Sequence, residues 1–156
     1  MRSTILEHLK TGLIAAVGTG SSYTELQVES IESRIPEVVG VNKFIGLTID
    51  DTTPFNVEIG HFLPSVYEYE CKIALLVKNG DYIKGQDELD RIVNRIIKYL
   101  NVDIFAGLSE TQDAVTERVQ GYSVENIGYT SGNLKLGEIG HIAIITLKMK
   151  TDLSFN

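Results

Sequence analysis

The sequence predicts an α+β fold: an antiparallel or mixed β-sheet with two α-helices packed on one face. Three observations carry that expectation. Residues 3–17 and 86–100 repeat apolar side chains at the 3.6-residue period of a helix. From Val66, apolar and polar residues alternate over eleven positions, the period-two pattern of a half-solvated strand. The helices do not alternate one-for-one with strands, which argues against a doubly wound parallel sheet.

In the first helix Ile5, Leu6, Leu9, Leu13, Ile14 and Val17 share one side. Ser3 or Thr4 is the expected N-cap, and Gly18 the stop. The loop Gly18-Thr-Gly-Ser-Ser22 follows. Between Val38 and Ile59 the strand signal is broken. Phe44, Ile45, Leu47 and Ile49 come first, Asp50-Asp-Thr-Thr-Pro54 reads as a turn, and Phe55, Val57 and Ile59 resume the alternation. In the strand from Val66, Tyr67, Tyr69, Cys71, Ile73, Leu75 and Val77 take one face, while Glu68, Glu70, Lys72 and Lys78 take the other. Ala74 and Leu76 interrupt the polar face, so part of it is expected to meet a helix or a neighbouring subunit.

Asn79-Gly80-Asp81 is the next turn. The second helix, about 86–100, turns Leu89, Ile92, Val93, Ile96, Ile97 and Leu100 inward and Asp87, Glu88, Arg91, Arg95 and Lys98 outward. Its acids precede its bases, which suits the helix macrodipole. Val115–Ile127 reads as a strand and Ile142–Met149 as a buried one. The stretches 101–116 and 128–140, the latter with four glycines, are expected as long loops, a length often used for binding.

The 156 residues suit one domain, 1–156, with enough apolar material to fill a core. Fourteen Lys and Arg against 21 Asp and Glu give a net charge of -7, which argues against tight wrapping of nucleic acid. One cysteine, Cys71, permits no internal disulfide and no cysteine-based zinc site. No apolar run approaches the roughly 18 residues of a membrane helix, and the N-terminal stretch lacks the apolar core of a secretory signal. The expectation is a soluble protein made in the cytoplasm.

No catalytic constellation emerges. His8, His61 and His141 form no H-x-x-x-H or H-E-x-x-H pattern, so Asp50 and Asp51, ten or so residues before His61, read as an acidic turn and not as metal ligands. Gly18-x-Gly20 lacks a P-loop lysine and follows a helix instead of a strand. Ser131 has no patterned His or Asp partner, and Cys71 sits in an apolar row as a packing residue. Tyr67 and Tyr69 are flanked by Glu68 and Glu70, which suits packing or a subunit contact better than base stacking. Cofactors and metals are therefore not expected. What stands out is charge. From Lys43 to Lys72 the chain carries Asp50, Asp51, Glu58, Glu68 and Glu70 with no intervening Lys or Arg. A continuous acidic surface repels phosphates and lets nucleic acid pass at low friction.

The layout also has a family likeness. It runs from the amphipathic first helix through Phe62-Leu-Pro-Ser-Val-Tyr-Glu-Tyr-Glu70 to a long alternating strand. Then come the helix Asp87-Glu-Leu-Asp-Arg-Ile-Val-Asn-Arg-Ile-Ile-Lys-Tyr-Leu100, the pair Gly107-Leu108, and the closing Gly137-Glu-Ile-Gly-His-Ile-Ala-Ile-Ile-Thr-Leu-Lys-Met-Lys-Thr151. This resembles the tail terminator (tail completion) proteins of long-tailed bacteriophages, the lambda-like and T5-like neck proteins, over about 64–151 plus the first helix. Residues 40–60 depart from it. The resemblance implies a structural virion protein without enzymatic activity or cofactor. Such a protein forms a ring, usually a hexamer, that caps the major tail tube protein and stops its polymerisation. It meets a head-completion or connector protein and lets DNA pass its lumen without specific binding. Its place is the virion neck, with no membrane involved. Asp50, Asp51 and Glu58 are lumen-lining candidates by charge alone. The alternatives are another phage connector subunit (head-completion or tail-tube protein) and a small enzyme or ligand-binding domain.

Overall fold

The computed structural model describes residues 1–55, 66–135 and 137–155. Its elements are α1 (Arg2–Val17), β1 (Ser30–Glu32), β2 (Lys43–Phe55), β3 (Val66–Lys78), α2 (Tyr82–Leu100), β4 (Ser109–Gln112), β5 (Val115–Lys135) and β6 (Glu138–Phe155). One sheet takes all six strands in the order β1-β2-β3-β6-β5-β4. Only the β1–β2 pair is parallel.

This corrects the expected fold class. In place of an α+β sheet with two helices packed on one face, the molecule is mostly β, with 49% of the described residues in strands. Its six-stranded mixed sheet curls into a half-barrel, with only two helices among the described residues. The excess strand comes from segments whose turn residues do not turn. Asp50-Asp-Thr-Thr-Pro54 lies within β2: Asp50, Asp51 and Thr52 pair with β3, and Thr53-Pro54 form an irregularity before Phe55 pairs with Val66. The glycine-rich 128–135 continues β5 to 21 residues, held residue by residue to β6. Ser109–Gln112, inside the other expected loop, forms β4. Register shifts at Val119/Gly121, Val124/Asn126 and Asn133/Lys135 put bulges into β5. Bulges bend a strand and raise its twist, which suits the curl.

The turns are tight. Gln112 and Val115 pair across Asp113-Ala114, both at positive φ (52° and 62°), the left-handed geometry of a two-residue hairpin. Lys135 pairs with Glu138, and Gly137 supplies φ 73°.

One core joins helices and sheet. From α1 it takes Ile5, Leu9, Leu13 and Val17, a row spaced by four. From α2 it takes Leu89, Ile92, Val93, Ile96 and Leu100. The sheet adds Ile45, Leu47, Cys71, Ile73, Leu75, Ala143, Ile145, Leu147 and Met149. Ile14, expected inward, is 41% exposed. Helix α1 has Met1 at its N-cap with no side-chain cap. Thr4 instead donates to the Glu110 carboxylate (2.7 Å), which also binds the Met1 amino group (2.8 Å). Helix α2 starts a turn earlier than its apolar period suggested, with Asp81 accepting from the Lys84 N–H (3.0 Å). Its first turn therefore holds no acid. Gly85 belongs to this added turn for a steric reason: a Cβ there would lie 2.2 Å from His141 Nε2.

Candidate functional site

The inner face of the sheet carries the core, so the available chemistry lies on the outer face and at the edges. On the outer face Asp50 is exposed and paired in register with Glu70, which in turn pairs with Lys148 of β6. Asp51, next in β2, pairs with Tyr69. Glu58 lies outside the described residues. The structure thus brings Asp50 and Asp51 onto one strand and sets bases among the acids. Lys72 bridges Glu70 (3.5 Å), and Lys148 bridges Glu68 (3.7 Å) and Glu125 (3.9 Å). The acidic stretch of the sequence is therefore a mixed-charge ladder in space. Lys148 and Lys150 come from about 80 residues away by the β3–β6 pairing, a long-range contact that local charge reading does not reveal.

Farther along the same face the ladder gives way to apolar side chains. Leu76 and Ile142 pair in register and are half-buried, and Ile144, paired with Ala74, is 39% exposed. Loop residues Ile35 and Val38 add exposed apolar surface nearby. Leu76, Val38, Val39, Leu134, Lys78 and Glu138 line a hollow of about 610 Å³. Lys78 bridges Glu138 (3.6 Å) across its floor. The interruption of the polar face at Ala74 and Leu76, noted from the sequence, belongs to this apolar half.

The two ends of the sheet carry strand edges that pair only in part. Strand β1 covers β2 at Phe44–Gly46 alone, and β4 covers β5 at Val115–Arg118 alone. The Val119 N–H donates to Leu108 O (3.0 Å), and beyond it no described strand pairs with that side of β5. Along this overhang Val124, Tyr129 and Leu134 are 40%, 55% and 48% exposed. Burial, then the nearby Asp90 carboxylate, pushes the Tyr129 phenol up.

Titratable groups elsewhere are committed to structure. Burial pushes the Cys71 thiol up to about 12, as expected of a packing residue in a desolvated row. Tyr69 and Thr151 both donate to Glu117 Oε1, tying β3, β5 and β6 together at one end. His8 is bonded to Ile104 O and its ring lies tilted against Phe105, centroids 5.4 Å apart, beside an open hollow of about 650 Å³ between α1 and α2. Ser131 does find a histidine: its Oγ lies 2.9 Å from His141 Nδ1, across the β5–β6 pair. That histidine is fully buried, with its Nε2 unpartnered and packed on Gly85, and Tyr82 lies edge-on to the ring at 5.4 Å. The Ser131 bond ties β5 to β6, and the His141 ring packs against Gly85 and Tyr82 of α2. Among the described residues no three or more His, Cys, Asp or Glu side chains gather as a metal site. Among the same residues no helix is long and apolar enough to cross a membrane.

No family model and no curated protein matches the chain. Among solved structures it is similar to a chain of the virion of a native gene transfer agent particle. The identity is 8% over 97% of this chain and 94% of the other, with a TM-score of 0.46. A second solved structure matches at 10% identity over 99% of this chain and 94% of its own, also with a TM-score of 0.46.

Proposed function

We propose that this chain is a structural virion protein of a phage neck, a tail terminator, acting by self-association into a ring, with no enzymatic role. The ring caps the tail tube, stops its growth and joins the tail to a head-completion protein. DNA crosses its lumen, for which Asp50, Asp51 and Glu58 are the lining candidates. The observation that carries the reading is the sheet with two unlike edges that no described strand pairs over most of their length, a form that lends itself to side-by-side assembly. The resemblance of the sequence to tail terminators supports the same reading. So does the enclosure of the Ser131–His141 pair, which points away from catalysis.

The experiment is capping. Purified protein is added to polymerising major tail tube protein, and tube lengths are read by electron microscopy. Short tubes ending in a ring are expected. Unchanged lengths with no bound protein would overturn the proposal. For the lumen, replacing Asp50, Asp51 and Glu58 together by Lys is expected to slow DNA ejection from assembled particles, and wild-type ejection kinetics would remove the assignment.

A further inference from the structure

We infer that Asn79–Gly80, the turn between β3 and α2, is a site of self-modification. There Asn79 loses its amide nitrogen, becomes aspartate or isoaspartate, and loosens the start of α2 from the sheet. Asn79–Gly80 is the only Asn-Gly pair in the sequence. The chemistry needs an asparagine whose successor leaves its own backbone nitrogen accessible. Gly80 has no side chain to shield that nitrogen, and it is exposed. Among the described residues its N–H has no hydrogen-bond acceptor.

The groups around it are engaged. The Asn79 N–H donates to Ile139 O (3.0 Å), and the Asp81 N–H donates to Asn79 Oδ1 (2.9 Å). The ring closed by the second bond contains both Asn79 Cγ and Gly80 N, the two atoms that must join. It also sets a backbone N–H against the oxygen that gains charge when Cγ is attacked, an arrangement that stabilises an oxyanion. In the step itself hydroxide removes the Gly80 amide proton and the nitrogen adds its electron pair to Cγ. The Cγ–Nδ2 bond breaks, and Nδ2 leaves as ammonia with a proton from water. A second water then opens the cyclic imide at either carbonyl, which gives aspartate or isoaspartate. Water is the only co-reactant.

The fold gives this change a consequence. Asn79 Nδ2 donates to Glu88 Oε1 (3.1 Å), which ties the turn to α2, and Lys43 holds the other oxygen of the same carboxylate (3.8 Å). Loss of the amide puts a carboxylate where the donor stood. A hydrogen bond thereby becomes a contact between like charges. The joint has little room to relieve it. A Cβ at Gly85 would lie 3.1 Å from Asn79 Cβ and 2.2 Å from His141 Nε2, so turn, helix and β6 are already packed closely there. Isoaspartate goes further. It inserts a carbon into the main chain just before Gly80 and shifts Asp81, whose side chain caps α2 by accepting from the Lys84 N–H (3.0 Å).

The test holds the folded full chain in mildly alkaline buffer and follows every asparagine by peptide mapping that separates asparagine, aspartate and isoaspartate. Conversion at position 79 ahead of all other asparagines is the expected result. A position 79 that stays intact in the folded chain while it converts in the urea-unfolded chain overturns the site. The consequence is read separately with Asn79→Asp, which keeps the acceptor for the Asp81 N–H and changes only the atom facing Glu88. The variant is expected to lower the melting temperature by about 4 °C. Adding Glu88→Gln, which removes the like charge and offers a donor, should restore at least about half of that loss. An equal loss with Glu88 and with Gln at position 88, or no loss at all, overturns the loosening of α2.

Discussion

Strands β3 and β5 are both long and both bulky on their inward positions, yet they end in different environments. Strand β3 is paired along its length by β2 on one side and β6 on the other, and Tyr69, Cys71, Ile73, Leu75 and Val77 are all buried. Strand β5 has β6 on one side and, after Arg118, no described strand on the other. Its inward row of Tyr122, Val124, Ile127 and Tyr129 is half-buried or exposed. Side-chain alternation is therefore not what buries a strand here. The number of flanking strands, and the helix lying over it, decide the outcome. The paired centre provides stability, and the β5 overhang adds less buried surface to it.

Truncations test that contrast first. Ile73→Ala removes a fully buried side chain and is expected to cost about 2–5 kcal/mol of unfolding free energy by denaturant titration. Ile127→Ala, on the overhang, should cost clearly less. Equal losses would mean that the overhang belongs to the core. Next in size, Gly85→Val forces a side chain onto the His141 ring and should cost about 1–3 kcal/mol. A neutral result would free α2 from its lock on β6. Removing the α2 cap with Asp81→Ala should cost about 1 kcal/mol, read as a lower melting temperature.

Smaller effects sharpen the picture at the β4 end of β5. Ala114 sits at φ 62°, where glycine is at ease, so Ala114→Gly should stabilise by up to about 1 kcal/mol. A loss of stability there would contradict the hairpin geometry. The hydrogen bond from the Met1 ammonium, aided by Thr4, holds the Glu110 carboxyl below its ordinary value of 4.5. A depressed acid contributes its full stability above the unfolded value and loses it as pH falls through the folded one. Glu110→Gln should thus leave a flatter dependence of melting temperature on pH below about 4.5 than the wild type shows.

The parts of the fold legible in the sequence are those set by local periodicity under dense packing. The β3 stretch and the inward stripe of α2 fall where their patterns put them, because burial on one face enforces the period. The misread parts are those where a neighbour overrides local chemistry. Asp50–Thr52 stay extended because β3 pairs them, the glycines of 128–135 because β6 does, and position 85 within α2 is glycine because a side chain there would strike His141. Together these turned an expected α+β sheet into a half-barrel that is mostly strand. The candidate site was legible only as composition. Asp50 and Asp51 were visible as acids, but Lys148 reaches the neighbouring Glu68 across the sheet, and how much of β5 is paired depends on how little of it β4 covers. Neither fact leaves a mark in the local sequence.

The central claim is that the molecule works by joining copies of itself through its sheet. Mass photometry of the purified full chain across nanomolar to micromolar concentration tests this most directly. The account predicts a single closed oligomer that gains no further subunits as concentration rises. A monomer persisting throughout, or open-ended growth without a limiting species, would contradict it.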